Sequence, residues 1–292
     1  MRCFNGGRCV RKFCIHTGLV KLRRAFWMAG SLSLLAFLVW GGGRAWSAVR
    51  QARLCAQEYE PPPPGMVFVP TGEFWMGSDD PNAEPDERPL RKVFLPAFYI
   101  DRFEVTNRRY QELVPAHRFA PGEEDLPVTH VLKSEAEEFC RRAGRRLPTS
   151  AEWEKAARGT DGRVYPWGDE FKPDHANLSR RTSLTATNAP DCKAPLAHSR
   201  GKVAGGSFPK GASPYGCQDM AGNVWEWVSD VWSDPVSFGQ KSTGEPRGIL
   251  RGGASSYSPR QARASYQGFE ALGATCHDVG FRCAMNAVAK AR

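Results

Sequence analysis

A run of nineteen uncharged residues near the amino terminus, Ala25 to Gly43, most constrains how this 292-residue chain can be arranged. At about 1.5 Å per residue, the run nearly spans a bilayer core of about 30 Å. Arg23 and Arg24 precede it, so the positive-inside rule places residues 1–24 in the cytoplasm. A buried core helix is the alternative, but arginines rarely bracket such a helix. We expect one transmembrane or signal segment at residues 25–43 and an extracytoplasmic domain after it.

The sequence leaves open whether this segment is cleaved. Ala45-Trp46-Ser47 has the small residues that signal peptidase favours. Arg23-Arg24 also resembles a twin-arginine export signal. Either reading would release the domain as a secreted or periplasmic protein. The long basic stretch before the segment, with Arg44 directly after it, favours an uncleaved membrane anchor instead.

Four consecutive prolines, Pro61–Pro64, separate the apolar segment from the rest of the chain. Such a run forms a stiff polyproline II spacer. Residues 44–64 are therefore expected to be a linker, and residues 65–287 a single folded domain. The chain has 29 Gly, 22 Pro and 9 Trp but little helical periodicity, which indicates a loop-rich domain with aromatic packing.

The net charge of +9 belongs to the amino-terminal segment and not to the domain. Residues 1–53 contain ten Lys and Arg and no acid, which leaves 30 of the 40 basic residues against all 31 acidic ones. Proteins that bind nucleic acid neutralise its phosphates with clustered positive charge. We therefore expect no nucleic-acid partner.

Local patterns predict few regular elements in the domain. Met66–Pro70 and Glu73–Ser78 have the composition of two strands, and the turn between them predicts a hairpin. Ser134 and Thr149 are each followed three residues later by glutamate, a capping-box pattern that predicts a helix start at each position.

Seven motifs of the domain occur in the order in which one protein family carries them. They are Met66–Ser78, Glu104–Asn107, Arg146–Gly159, Tyr165–Gly168, Ser213–Asp230, Arg251–Gly253 and Gly280–Ala284. Over about residues 65–287 the chain resembles the formylglycine-generating enzyme, or sulfatase-modifying factor, family. The resemblance implies an α+β fold of the C-type-lectin-like kind with little regular secondary structure.

The resemblance also implies calcium, which prefers several side-chain and main-chain oxygens together. It implies two sites, one at Asp219, Gly222, Val224 and Glu226 and the other at Asn177, Leu178 and Asp191. The second site is less well defined, because the loop before Asp191 departs from the family pattern. For the first site the alternative is a structural loop, in which Asp219 and Glu226 only accept backbone hydrogen bonds.

Cysteines after the apolar segment are suited to disulfides in an oxidising compartment. The resemblance implies a bridge between Cys140 and Cys283. The remaining cysteines of the domain and linker have no assigned partner: Cys55, Cys192, Cys217 and Cys276. No two of them show the spacing of a metal site.

The resemblance further implies a pocket, which carries over to Trp225, Arg251, Gly252, Gly253 and Ala254. Active family members have a serine directly after the paired glycines and then two cysteines, whose soft thiolates hold copper(I). Here Ala254 replaces the serine, and residues 254–265 contain no cysteine. We therefore expect no copper and assign no catalytic residue.

These observations predict a membrane-tethered or exported binding or accessory module stabilised by calcium. Its ligand, whether protein, peptide or small molecule, is not identified by the sequence. The alternative is an enzyme: a formylglycine-generating oxidase that uses other residues, or another oxidoreductase on the same scaffold. The sequence leaves the choice between module and enzyme open, since a fold does not by itself confer an activity.

Overall fold

The computed structural model describes residues 50–51, 53–179, 201–233 and 245–291. One compact unit spans residues 60–288, and a second contains Tyr59, which is bridged to Ala289. The apolar segment predicted at residues 25–43 lies outside the described residues. Of the helices within them, none is both long enough and apolar enough to cross a membrane.

Short strands and three helices build the described part of the larger unit. The strands are β1 Met66–Val69, β2 Gly72–Met76, β3 Arg91–Leu95, β4 Phe98–Asp101, β5 Trp225–Trp232, β6 Arg247–Arg251, β7 Gly268–Ala271, β8 Val279–Phe281 and β9 Ala284–Asn286. The helices are α1 Asn107–Leu113, α2 Lys133–Arg142 and α3 Ser150–Arg158. The strands form three sheets, ordered β1-β4-β9, β2-β3 and β7-β6-β5-β8. The predicted α+β class is confirmed.

The predicted hairpin of the first two strands is wrong. β1 pairs antiparallel with β4, whereas β2 pairs with β3. Met66, Val67 and Val69 of β1 are all buried, while β2 exposes Glu73 and Trp75. An isolated two-stranded hairpin is marginally stable in water and cannot bury a strand of this kind. β1 therefore joins the core sheet with β4 and β9. At Gly72 the chain leaves that sheet and enters the separate two-stranded sheet of β2 and β3.

Of the two predicted helix starts, one is confirmed and one is wrong. Thr149 caps α3, because its hydroxyl accepts a hydrogen bond from the Glu152 amide at 3.1 Å. Ser134 does not cap α2, which begins one residue earlier at Lys133. The Lys133 ammonium is buried and donates to the Ser229 carbonyl at 3.0 Å. The amide of Leu132, the residue before the helix, donates to Glu135 Oε2 at 2.8 Å. The start is therefore held by this local bond and by the tertiary contact of Lys133, and Ser134 has no part in it.

The four-stranded sheet places two loops side by side. β5 pairs with β6 so that Glu226 lies opposite Arg251, and it pairs in parallel with β8 on its other side. The loop before β5 therefore meets the segment after β6: the Gly222 amide donates to the Gly252 carbonyl at 2.8 Å. Trp225 and Trp227 of β5 are buried beneath them.

Candidate functional site

A buried ion pair stands at the centre of the first predicted calcium site. The guanidinium of Arg282, between β8 and β9, donates to Glu226 Oε2 at 2.6 Å and to Oε1 at 2.7 Å. The indole of Trp153 also donates to Glu226 Oε2, at 2.8 Å. Both charged side chains are fully buried. The two oxygens of Glu226 are therefore already held by side-chain donors, and not by the backbone donors of the structural-loop alternative.

Asp219 lies in the loop before β5, with a backbone φ of 58°. Its Oδ2 accepts a hydrogen bond from the Gly206 amide at 2.8 Å. Burial raises the pKa of Asp219 above its usual value, and the nearby negative charge of Glu226 adds to the increase. The hydrogen bond from Gly206 and the positive charge of Arg282 offset this increase only in part.

Glu104 joins this site, although the sequence analysis did not select it as a ligand. Its side chain is buried, and its Oε1 accepts from Asn223 Nδ2 at 3.0 Å. Its Oε2 has no hydrogen-bond partner among the described residues. Burial, and then the charges of Asp219 and Glu226, raise the pKa of Glu104 well above its usual value. The sequence signal that could have identified Glu104 was its place as an acid in the family motif Glu104–Asn107. It lies two residues before Thr106, which caps α1.

The three carboxylates share the single guanidinium of Arg282. Fully ionised, they would leave an excess of negative charge in a dry region, which is costly unless a cation compensates it. The unpartnered Glu104 Oε2 is an oxygen acceptor of the kind that a hard divalent cation binds. By charge and donor type, the residues present fit calcium.

The main-chain positions of the two predicted calcium sites are adjacent. Gly222 has a φ of +83°, and a Cβ there would lie 2.3 Å from the Asn177 carbonyl oxygen, so only glycine fits. The Asn177 amide nitrogen Nδ2 donates to the Gly201 carbonyl at 2.7 Å. Leu178 and Val224 are buried beside them. Asp191, the predicted acid of the second site, lies outside the described residues.

Histidine, cysteine and carboxylate side chains alone do not form a metal site in the part of the chain that the structure describes. No three of them come together in a way that could hold an ion. Any calcium bound beside Glu104 would need main-chain carbonyl oxygens as well, and the resemblance implies those of Gly222 and Val224.

The predicted pocket residues surround a buried arginine. Arg251 is fully buried, and its guanidinium donates to Ser150 Oγ at 2.6 Å and to Glu154 Oε2 at 2.9 Å. It also donates to three consecutive carbonyls, those of Ala264, Ser265 and Tyr266. Through these hydrogen bonds Arg251 links the segment after β6 to α3. Gly252 and Gly253 have φ values of +93° and +74° and pass close to neighbouring atoms.

Trp225 carries the unsatisfied donor of this region. Its indole Nε1 is buried and has no hydrogen-bond partner among the described residues. Tyr257 meets the indole edge-on at 5.4 Å between ring centroids, and Tyr266 lies at 6.1 Å. Ala254, in the segment just before Tyr257, is fully buried.

The segment that follows the paired glycines does not fit copper(I). Residues 254–265 offer hydroxyl, amide and guanidinium groups but no thiol, and copper(I) selects soft sulfur ligands.

Two cysteines that the resemblance pairs are adjacent in the structure. The sulfur atoms of Cys140, on α2, and Cys283, between β8 and β9, lie 2.7 Å apart in the core. The disulfide itself stays a prediction. Cys276 is disulfide-bonded. Burial raises the pKa of the Cys217 thiol to about 11, which disfavours the reactive thiolate form. Cys192 lies outside the described residues.

A separate cleft of about 620 Å³ opens on the surface, lined by Pro81, Asn82, Ala83, Tyr165, Arg260 and Arg263. Its two arginines are neutralised, because Arg260 pairs with Glu84 and Arg263 with Glu87. Asp86 lies in the same short helical turn as Glu87. Both oxygens of Asp86 are buried without a partner in the described part of the chain, and burial raises its pKa to about 7.

Comparisons with known proteins agree with the motif order. Residues 51–287 match the model of the sulfatase-modifying factor enzyme 1-like domain. The chain is 30% identical over 281 residues to inactive C-alpha-formylglycine-generating enzyme 2 of Mus musculus, covering 77% of this chain and 86% of that protein. It is 28% identical over 291 residues to formylglycine-generating enzyme of Bos taurus, covering 76% and 75%. The structure of PvdO from Pseudomonas aeruginosa shares the fold, with a TM-score of 0.58 and 23% identity over 78% of this chain and 97% of that one.

Proposed function

Since the chain belongs to the family that carries a sulfatase-modifying factor enzyme 1-like domain, we propose that it is a non-oxidase binding or accessory module of that family. The observation that carries this proposal is the absence of any thiol in residues 254–265. One similar mammalian protein is itself named inactive, which supports a family member without the oxidase reaction.

The other residues in and near segment 254–265 also favour a non-oxidase function. Ser255 and Ser258 carry hard, protonated hydroxyls, which are poor substitutes for thiolates toward copper(I). Cys283 lies against Cys140, and Cys276 is disulfide-bonded. Trp225 carries a buried indole donor with no hydrogen-bond partner among the described residues. The pocket that the sequence predicts at these positions, without metal thiolates, would suit binding better than oxidation.

Calcium is the structural cofactor in this proposal. The carboxylates of Asp219 and Glu104 would hold it together with the main-chain oxygens of Gly222 and Val224. Glu226, fixed by Arg282, would lie beside it. A bound calcium ion would neutralise the excess negative charge and stabilise the loop before β5. A second ion at Asn177, Leu178 and Asp191 is part of the same proposal.

The module would be presented outside the cytoplasm by the apolar segment at residues 25–43, either as an anchor or as a cleaved signal. Its partner would be a protein, a peptide or a small molecule.

The test is an aerobic assay of the purified full chain with copper(I) and a peptide that carries a Cys-x-Pro-x-Arg motif. Mass spectrometry should find the peptide cysteine unchanged. The bovine formylglycine-generating enzyme serves as the positive control. Loss of sulfur with aldehyde formation over many turnovers would overturn the non-oxidase proposal.

A further inference from the structure

Three basic side chains from separate loops meet on one surface of the domain. The imidazole rings of His130 and His277 lie 6.5 Å apart between centroids. The ammonium of Lys202 donates to the hydroxyl of Thr129 at 2.8 Å, which places it next to His130. The His130 amide donates to the Cys276 carbonyl at 2.9 Å. The loops are thus joined by hydrogen bonds that hold the basic groups together.

The positive charge of this cluster is poorly compensated. Partial desolvation lowers the pKa of Lys202. Partial desolvation, followed by the charges of Lys202 and His277, also lowers the pKa of the largely exposed His130. Two acids of the described residues act on the cluster: Asp278, whose carboxylate is 4.0 Å from His277, and Glu123, whose charge acts on Lys202 without an ion pair. Within the described residues, neither Lys202 nor His130 has a salt-bridge partner within 4.0 Å.

His130 is held in an unusual backbone conformation. Its φ is +60°, in the left-handed region that residues other than glycine seldom adopt. Such a conformation costs on the order of 1–3 kcal/mol and persists where the surrounding structure imposes it, often at functional sites. In this conformation the His130 amide donates to the Cys276 carbonyl, and the residue stays exposed on the surface.

The cluster adjoins the predicted pocket through the main chain. The Trp225 amide donates to the carbonyl of Asp278, the residue after His277, at 2.8 Å. On the other side, Val203 follows Lys202, and its amide donates to Asn223 Oδ1 at 2.9 Å. A ligand bound at the cluster would therefore lie close to the start of β5.

We propose that Lys202, His130 and His277 form a binding site for an anionic group, a carboxylate or a phosphate, carried by the ligand of this module. The inference rests on the proposed function, because it gives the ligand of that module its charge and chemical class. Lys202 supplies a full positive charge that Thr129 positions, and the two imidazoles supply ring N–H donors. A guest anion would restore the missing counter-charge.

The experiment measures binding of inorganic phosphate, and separately of acetate, to the purified full chain at constant ionic strength by calorimetry. We expect saturable binding of at least one of them. Lys202→Gln should weaken it roughly tenfold or more, since a hydrogen bond to a charged group contributes about 1.5–3 kcal/mol. Lys202→Arg should retain most of it. Preferential binding of acetate identifies a carboxylate ligand, and preferential binding of phosphate identifies a phosphorylated one; both support the site.

Two further variants keep the result interpretable. His130→Asn removes the imidazole but suits the left-handed backbone, so it should fold and bind more weakly. Lys172→Gln changes an exposed lysine elsewhere and should bind like the unaltered protein. Equal binding by Lys202→Gln, or no saturable binding of either anion, would overturn the proposal. Aldehyde formation in the peptide assay would instead refute the non-oxidase function and leave this result untouched.

Discussion

Glu104 shows how a single side chain can report an incomplete site. Its carboxylate is buried among two others, and one of its oxygens has no partner among the described residues. An unpaired buried charge is among the most costly features that a fold can contain. Such a residue either takes up a proton or binds a cation. The stability of the protein under added calcium, and after substitution of the residue, distinguishes these two states.

We predict that calcium raises the melting temperature of the full chain and that chelator lowers it. Binding to the folded state alone contributes about 2.7 kcal/mol when the ion is at a hundred times its dissociation constant. Glu104→Gln and Asp219→Ala should remove the response, because each deletes one carboxylate. In chelator, Glu104→Gln should be at least as stable as the unaltered chain, because burial and the neighbouring carboxylates disfavour a negative charge at this position and glutamine is neutral. Differential scanning fluorimetry checks all three.

The control for this measurement is Glu112→Gln, which changes an exposed carboxylate on α1 and should keep the full response. A melting curve indifferent to both calcium and chelator would leave only a structural role for the loop.

Asp86 gives a second prediction at the scale of a residue, in this case with a defined pH dependence. Its pKa rises from 3.8 to about 7 on folding. Between these values the folded chain keeps a proton that the unfolded chain has lost, so this group makes stability fall as pH rises through that window. We expect Asp86→Asn to stabilise the protein by roughly 2–4 kcal/mol above about pH 7, and to be nearly neutral below about pH 4.

Urea unfolding at a series of pH values checks the Asp86 prediction. Glu112→Gln, which changes an exposed carboxylate on α1, is again the control. A difference for Asp86→Asn that is the same at both ends of the range would contradict the raised pKa.

At the scale of elements, Cys140 and Cys283 lie where α2 meets the segment that joins β8 to β9. Asp101 lies at the same junction, where it accepts from the Cys283 amide at 3.0 Å and pairs with Arg109 and Arg145. The two cysteines are 143 positions apart in sequence. A bridge between them would stabilise the domain by roughly 3–5 kcal/mol in the chain-entropy model.

We predict that Cys140 and Cys283 are linked in protein purified under oxidising conditions. Non-reducing peptide mapping should recover one linked fragment that contains both residues, and reductant should lower the melting temperature. Cys217→Ser serves as the control, since it should leave the linked fragment in place. Free alkylation of both Cys140 and Cys283 in the folded oxidised protein would contradict the pairing.

The elements also show which parts of the fold the sequence could predict. The capping box at Thr149 involves atoms three residues apart, so the local pattern sufficed. The pairing of β1 with β4 is set by burial of Met66–Val69 in a core sheet, which no local pattern encodes. The same reason explains Glu104: its motif was recognised, but its closeness to Asp219 depends on how distant loops pack.

At the scale of the whole molecule, charge and hydropathy are divided along the chain. Residues 1–53 hold ten basic residues and no acid, and the uncharged run lies within them. The residues that follow are nearly neutral and form the compact unit of residues 60–288. This division suits a protein whose basic end stays in the cytoplasm while a neutral domain crosses the membrane.

We predict that residues 1–24 are cytoplasmic and that residues 65–287 are extracytoplasmic. The positive-inside rule depends on the Lys and Arg count near the apolar segment, so replacing Lys21, Arg23 and Arg24 with glutamine should weaken the orientation. Protease added to intact cells or spheroplasts should digest the domain, while a cytoplasmic marker protein should survive until lysis. Protection of the domain until the membrane is lysed would overturn the assignment. Fractionation of the same samples distinguishes an anchor, which stays with the membrane, from a cleaved signal, which releases the domain.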